Sequence, residues 1–170
     1  QEMTAGSSFR ANELLGYPKD ARLLILNADD FGMCHAVNTG IISALDYGII
    51  QSTTLMPPCS WALHAMAFLR DNPQISFGVH LTFISETVNY KWGSLTSREK
   101  VPSLMSDNGY FYNWDQMSDY IKVAKLDEVE IESRAQIEMV LSAGLQPTHL
   151  DWHCLYNGGR DDIFYMTVGL

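Results

Sequence analysis

Short apolar runs alternate with stretches of helical spacing along most of this chain. Arg22 to Ala28, with Leu23-Leu24-Ile25-Leu26 at its centre, has the length and unbroken apolar character of a buried strand. Ala36 to Tyr47 carries apolar residues at helical intervals and stops at Gly48, a residue suited to the left-handed conformation that closes a helix. Thr53 to Met56 predicts a second strand, Ser60 is placed to cap a helix running to about Arg70, and Ile75 to Leu81 predicts a third strand. From Asp127 to Ala143, residues Val129, Ile131, Ala135, Ile137, Val140 and Leu141 follow an amphipathic helical pattern. Gly144 stands where the left-handed cap belongs, and Pro147 bars continuation. Thr148 to Asp151 makes a short fourth strand, and Ile163 begins another helix.

Repeated strand and helix units predict an α/β fold with a parallel sheet. A closed βα-barrel takes about 250 residues. Four strands in 170 residues therefore predict a partial βα-barrel-like sheet, about half to two-thirds of a full barrel. The chain reads as one incomplete domain over residues 1–170 that stops inside an unfinished helix, with the remainder supplied elsewhere or by a second copy in a homo-oligomer. A polar, aromatic-rich excursion from Ser85 to about Ser118 is too long for a plain connector. Its rings, Tyr90, Trp92, Tyr110, Phe111, Tyr112 and Trp114, suit equally a small satellite core and flat surfaces that stack on sugars.

Composition narrows the function classes. A hydrophobic share of 46% is enough for a packed core. No apolar run approaches the roughly 18 to 20 residues of a membrane-spanning helix, so no membrane partner is expected. A formal charge of -9 argues against nucleic acid, whose phosphates require clustered cations. The acidic group Asp127-Glu128-Glu130-Glu132 reads as the solvated start of a helix, where the backbone dipole favours carboxylates. Cys34, Cys59 and Cys154 lack C-x-x-C spacing and indicate neither a disulfide framework nor a cysteine-based zinc site. The cysteines fit a reducing, cytoplasmic compartment, while the Gln1 start and the polar stretch through Ser8 fit either a processed, exported chain or a trimmed terminus, so both locations stand equally.

The chemistry concentrates at strand ends. In Asn27-Ala28-Asp29-Asp30-Phe31-Gly32, two adjacent carboxylates follow an apolar run; like charges that close are costly unless a cation joins them. One can ligate a metal while its neighbour accepts a proton from an attacking water; the bland alternative is a helix-capping pair. Gly78-Val79-His80-Leu81-Thr82 places a histidine at the end of the third strand, a position that is structural more often than ligating. In Pro147-Thr148-His149-Leu150-Asp151-Trp152-His153, alternate residues of an extended segment put His149, Asp151 and His153 on one face. These motifs converge on the C-terminal rim of a parallel sheet, where such folds place their sites. Two histidines and one carboxylate leave coordination positions open, as a catalytic metal requires; zinc suits the set and magnesium remains an alternative. His64, inside a helical pattern, reads as a surface or packing residue, and His35 as a capping or packing residue. Pro57-Pro58 and Gly158-Gly159 read as loop punctuation.

The same motifs, with Asn38, Gly40-Ile41-Ile42, Gly48-Ile49 and Ser52-Thr53-Thr54-Leu55-Met56 between them, resemble the YdjC-like family of carbohydrate and chito-oligosaccharide deacetylases over residues 22–154. The resemblance implies a βα-barrel-like fold and divalent-metal-dependent removal of acetyl groups from acetylated amino sugars or oligosaccharides. By motif position it implies Asp30, His80 and His153 as metal ligands, Asp29 as general base, and His149 and Asp151 as groups that support the ligands or orient substrate. Cys154-Leu155-Tyr156 stands where many members continue with further histidines. A metal hydrolase of another amide or ester, and a non-catalytic metal- or sugar-binding module, remain the alternative readings.

Overall fold

The computed structural model describes residues 7–170, so most of the N-terminal polar stretch lies outside the described residues. Strands β1 (Asn27–Phe31), β2 (Ser52–Leu55), β3 (Ser76–Leu81) and β6 (His149–Trp152) form a parallel sheet in the order β1-β2-β3-β6. The α/β fold is thus a partial parallel barrel wall. Helix α1 (Ser7–Leu14) precedes the sheet, α2 (His35–Asp46) follows β1, and α3 (Ala62–Asp71) follows β2. Between β3 and β6 lie the short strands β4 (Ile84–Ser85) and β5 (Tyr112–Asn113), then α4 (Met117–Val123) and α5 (Leu126–Ser142); α6 (Asp161–Val168) comes last.

Strand alternation divides the sheet into two unlike faces. On the helix-covered face Leu55, Val79 and Leu81 are fully buried, and Phe31 meets Phe68 of α3 edge-on at 6.0 Å. Each such aliphatic side chain contributes about 1.5–3 kcal/mol on burial. The other face carries Asn27, Ser52, Thr54, Ser76, Gly78, His80, His149 and Asp151. Its polar groups satisfy one another: Asn27 Nδ2 donates to Thr54 Oγ1 at 3.3 Å, and that hydroxyl donates to Asp151 Oδ2 at 3.2 Å. An open cleft of about 590 Å³ lies along this face, lined by Asn27, Ser52, His149 and Asp151 among others.

Both glycine stops hold: Gly48 and Gly144 have φ of 70° and 78°. Other expectations are corrected. The first strand begins at Asn27, and the apolar run before it is not buried: Leu24 and Ile25 are 79% and 80% exposed. No strand pairs with the outer edge of β1 among the described residues, so the run finds no cover there. Helix α3 starts at Ala62, with Trp61 as its N-cap and no side-chain capping bond, so Ser60 does not cap it. The acidic cluster is only partly solvated, because Glu128 and Glu132 are buried.

Those two glutamates secure the long excursion to α5. Glu132 accepts hydrogen bonds from the backbone N–H groups of Leu95 (3.0 Å) and Thr96 (2.9 Å) and from Gln136 Nε2 (2.9 Å). Gln136 in turn brackets Thr82, accepting from its N–H at 2.9 Å and donating to its carbonyl at 2.8 Å. Glu128 accepts from Ser103 N–H at 2.6 Å. Within the excursion β4 and β5 pair in parallel, and Trp92 and Phe111 are buried as a satellite core requires. Tyr90, Tyr110 and Trp114 remain partly exposed.

Candidate metal centre

The carboxylate pair owes its placement to a break in strand register. Ala28 pairs with Thr53 and Phe31 with Leu55, so Asp29 and Asp30 together oppose a single residue of β2. This is a β-bulge, and Asp30 sits in the left-handed region at φ 63°. Simple alternation would send neighbouring side chains to opposite faces; the bulge turns Asp30 toward the strand-end histidines. The loop that follows is clamped by the fully buried Asn38. Its Oδ1 accepts from Gly32 N–H at 2.7 Å, and its Nδ2 donates to Trp61 O at 3.1 Å and lies 3.0 Å from His64 Nδ1. Gly32 (φ 103°) packs so tightly that an added Cβ would meet the Ala62 backbone at 3.0 Å.

Asp30, His80 and His153 converge, each offering a ligand atom within 4.8 Å of the others. Asp30 Oδ1 lies 3.0 Å from His153 Nδ1 and 3.4 Å from His80 Nε2. His80 comes from β3 and His153 from just beyond β6, where its N–H donates to Leu81 O at 3.0 Å. Both rings are nearly buried, at 3% exposed. Each imidazole is also held from behind: His80 Nδ1 lies 2.6 Å from Asp151 Oδ1, and His153 Nε2 lies 3.1 Å from Glu86 Oε1. Asp151 and Glu86 thus hold the far side of each ring while Asp30 faces the near side. Acids on both sides of each ring favour positive charge there, carried by protons on the imidazoles or by a cation.

The electrostatics agree. Burial works against charge on Asp30, but hydrogen bonds and charge from His153 and His80 hold it well below the usual carboxylate range. Burial likewise opposes a charged His80, yet Asp151 and then Asp30 raise its pKa to about 9. At Cys154, burial followed by the carboxylates of Glu86, Asp30 and Asp29 pushes the thiol up to about 12. Three carboxylates thus surround two buried imidazoles, with the exposed Asp29 close by. A divalent cation fits this donor set: two ring nitrogens and one carboxylate oxygen, with acids behind both rings.

Of the six site residues expected from the sequence, the structure brings four into this cluster: Asp30, His80, His153 and Asp151. Asp29 sits beside it on the bulge. His149 does not join: it pairs with Gly78 while Asp151 pairs with His80, placing it lower on β6 in the open cleft, its Nδ1 2.8 Å from Thr148 Oγ1. Glu86 was not singled out by sequence. Its one signal was an acid shortly after the β3 histidine, at the start of the excursion. His35 opens α2 with its ring 4.8 Å from that of Trp61, a packing role.

A family model described as YdjC-like protein matches residues 23–162. The chain belongs to the YdjC-like family. Among curated relatives, a carbohydrate deacetylase of Enterococcus faecalis is 38% identical over 148 residues, covering 86% of this chain and 54% of the relative. A carbohydrate deacetylase of Clostridium beijerinckii is 37% identical, with coverage of 76% and 49%. A chitooligosaccharide deacetylase of Yersinia enterocolitica is 35% identical, with coverage of 78% and 49%. A solved Enterococcus faecalis protein, named as a candidate for cellobiose-phosphate cleavage, superposes with a TM-score of 0.76 at 35% identity, covering 85% of this chain and 53% of its own. The chain spans about half the length of the curated relatives it matches.

Proposed function

We propose that this YdjC-like chain carries the metal-binding part of a divalent-metal-dependent hydrolase that removes acetyl groups from acetylated amino sugars or oligosaccharides. The observation that carries the reading is Asp30 Oδ1 faced by two imidazole nitrogens whose opposite nitrogens are each held by a carboxylate. Asp30, His80 and His153 would hold the ion. Zinc matches two nitrogens and one oxygen better than magnesium, which prefers an all-oxygen shell. Bound there, a divalent ion supplies Lewis acidity toward an acyl oxygen and the attacking water.

The chain's own groups do the rest. Asp29, exposed on the bulge beside Asp30, accepts the proton of the attacking water as general base. Asp151 holds the His80 ring through Nδ1–H, fixing its orientation and tautomer. His149 lines the cleft below the cluster and contacts the part of a bound sugar remote from the acyl group. The acetylated-sugar substrate is taken from the relatives, whose names specify carbohydrate and chitooligosaccharide deacetylation.

The test combines metal content with acetate release. The chain should hold close to one zinc after dialysis and lose it on His80→Ala or His153→Ala. Asp29→Asn should keep the zinc and lower acetate release from N-acetylated chito-oligosaccharides by about 10²- to 10⁴-fold, the usual contribution of a positioned base. Zinc absent from the folded chain overturns the metal reading, and undiminished turnover in Asp29→Asn overturns its role. Stoichiometric zinc without acetate release would reassign the chain as a metal- or sugar-binding module.

A further inference from the structure

His153 is contested from both sides. Its Nδ1 faces Asp30 Oδ1 at 3.0 Å, while its Nε2 lies 3.1 Å from Glu86 Oε1 and 3.1 Å from Cys154 Sγ. An imidazole can present a lone pair to a metal through Nδ1 only if its remaining proton sits on Nε2, so the stronger acceptor at Nε2 decides the tautomer. A carboxylate is a far better acceptor than a thiol.

Glu86 is well placed to act as that acceptor. It follows β4 directly, and its own carbonyl accepts from Trp114 N–H at 3.3 Å, tying it to the turn after β5. Its neighbour Ser85 is buried, with Oγ donating to Trp92 O and accepting from Trp92 N–H, both at 3.1 Å. The Trp92 ring packs against the His153 ring, with centroids 5.7 Å apart. The excursion therefore presents one carboxylate and one flat wall to the same histidine.

We infer that Glu86 is a positioning residue for the metal centre, holding His153 in the tautomer that directs Nδ1 toward Asp30. The inference rests on the ligand set proposed above. Glu86 stands to His153 as Asp151 stands to His80, so the two ligand histidines, joined to the centre through opposite ring nitrogens, share one supporting device. The excursion thus contributes to the centre as well as covering it.

The test uses the full chain loaded with zinc and compares it with Glu86→Ala and Glu86→Gln. Two quantities are read: zinc affinity by competition with a chromophoric chelator, and the His153 tautomer with its ring-proton exchange by nitrogen-15 NMR. The unmodified chain should show a slowly exchanging proton on Nε2 and zinc on Nδ1. Glu86→Ala should expose that proton to rapid exchange and weaken zinc by about 10- to 100-fold, the range expected for loss of such a partner. Glu86→Gln, whose amide oxygen still accepts the Nε2–H, should recover most of both; packing damage alone would not follow that order. Zinc bound through Nε2, or a Glu86→Ala protein with unchanged affinity and exchange, overturns the inference while leaving the ligand set standing. If the unmodified chain binds no zinc, the ligand set fails and this inference falls with it.

Discussion

Replacing Glu132 tests how the excursion is secured to the barrel wall. The side chain is fully buried and accepts three hydrogen bonds, from Leu95 N–H, Thr96 N–H and Gln136 Nε2. Glu132→Ala removes the acceptor and leaves three donors behind. An unsatisfied buried donor costs about 1–3 kcal/mol, but the loop side of this contact is part-buried and water can reach Leu95 and Thr96. Counting about 1 kcal/mol for each of those and about 2 for the enclosed Gln136 amide gives a loss of about 4 kcal/mol. For a chain of this size each kcal/mol moves the melting temperature by about 2–4 °C, so a fall of about 8–16 °C is expected. Glu132→Gln keeps one acceptor oxygen but turns an amide NH₂ toward donors, so its loss should be intermediate. Calorimetric and circular-dichroism melts of the metal-free proteins provide the assay. A Glu132→Ala change under about 1 kcal/mol would refute the idea that this carboxylate holds the excursion in place.

Zinc binding should weaken as pH falls. His80 keeps its proton up to about pH 9 in the metal-free protein, and a ligating imidazole must release it, so affinity should drop about tenfold per unit from pH 8 to pH 6. Chelator competition across that range checks this, and a flat profile counts against His80 as a ligand. The metal-free protein should run the other way. A folded pKa raised above 6.5 contributes stability that is present below about pH 6.5 and is lost as pH rises through about 9, which urea titrations at pH 6 and 9.5 would show. Gly78→Ala should destabilise by more than about 1 kcal/mol in the same titrations, because a Cβ there would meet the His149 ring at 2.5 Å and its backbone oxygen at 2.7 Å.

Helix ends and the clustering of Asp30, His80 and His153 were the most legible features. Gly48 and Gly144 mark chain reversals that only a few residue types accept, and the three clustered residues stand beside strand patterns that fix where the strands end. What escaped depends on partners distant in sequence. Leu23 to Leu26 has the composition of a core strand, but burial requires a neighbour, and none lies against that edge among the described residues. Glu128 and Glu132 look like solvated helix-start acids until loop residues more than twenty positions away supply their donors. His149 obeys the alternation expected of it, yet alternation gives a face and not a height along the strand. The bulge at Asp30 leaves no sequence mark beyond the carboxylate pair, because aspartate is among the few non-glycine residues that tolerate a left-handed backbone.

The two faces of the central sheet have consequences for how such a chain can change over generations. Cohesion comes from Leu55, Val79 and Leu81 against the helices, where loss of one buried methylene group is felt. The opposite face, with Asn27, Thr54 and Asp151, is joined instead by a chain of hydrogen bonds. A change there breaks a polar pairing rather than opening a hole in a packed core. A lineage built on this wall is therefore constrained by volume on one side of its strands and by hydrogen-bond pairing on the other.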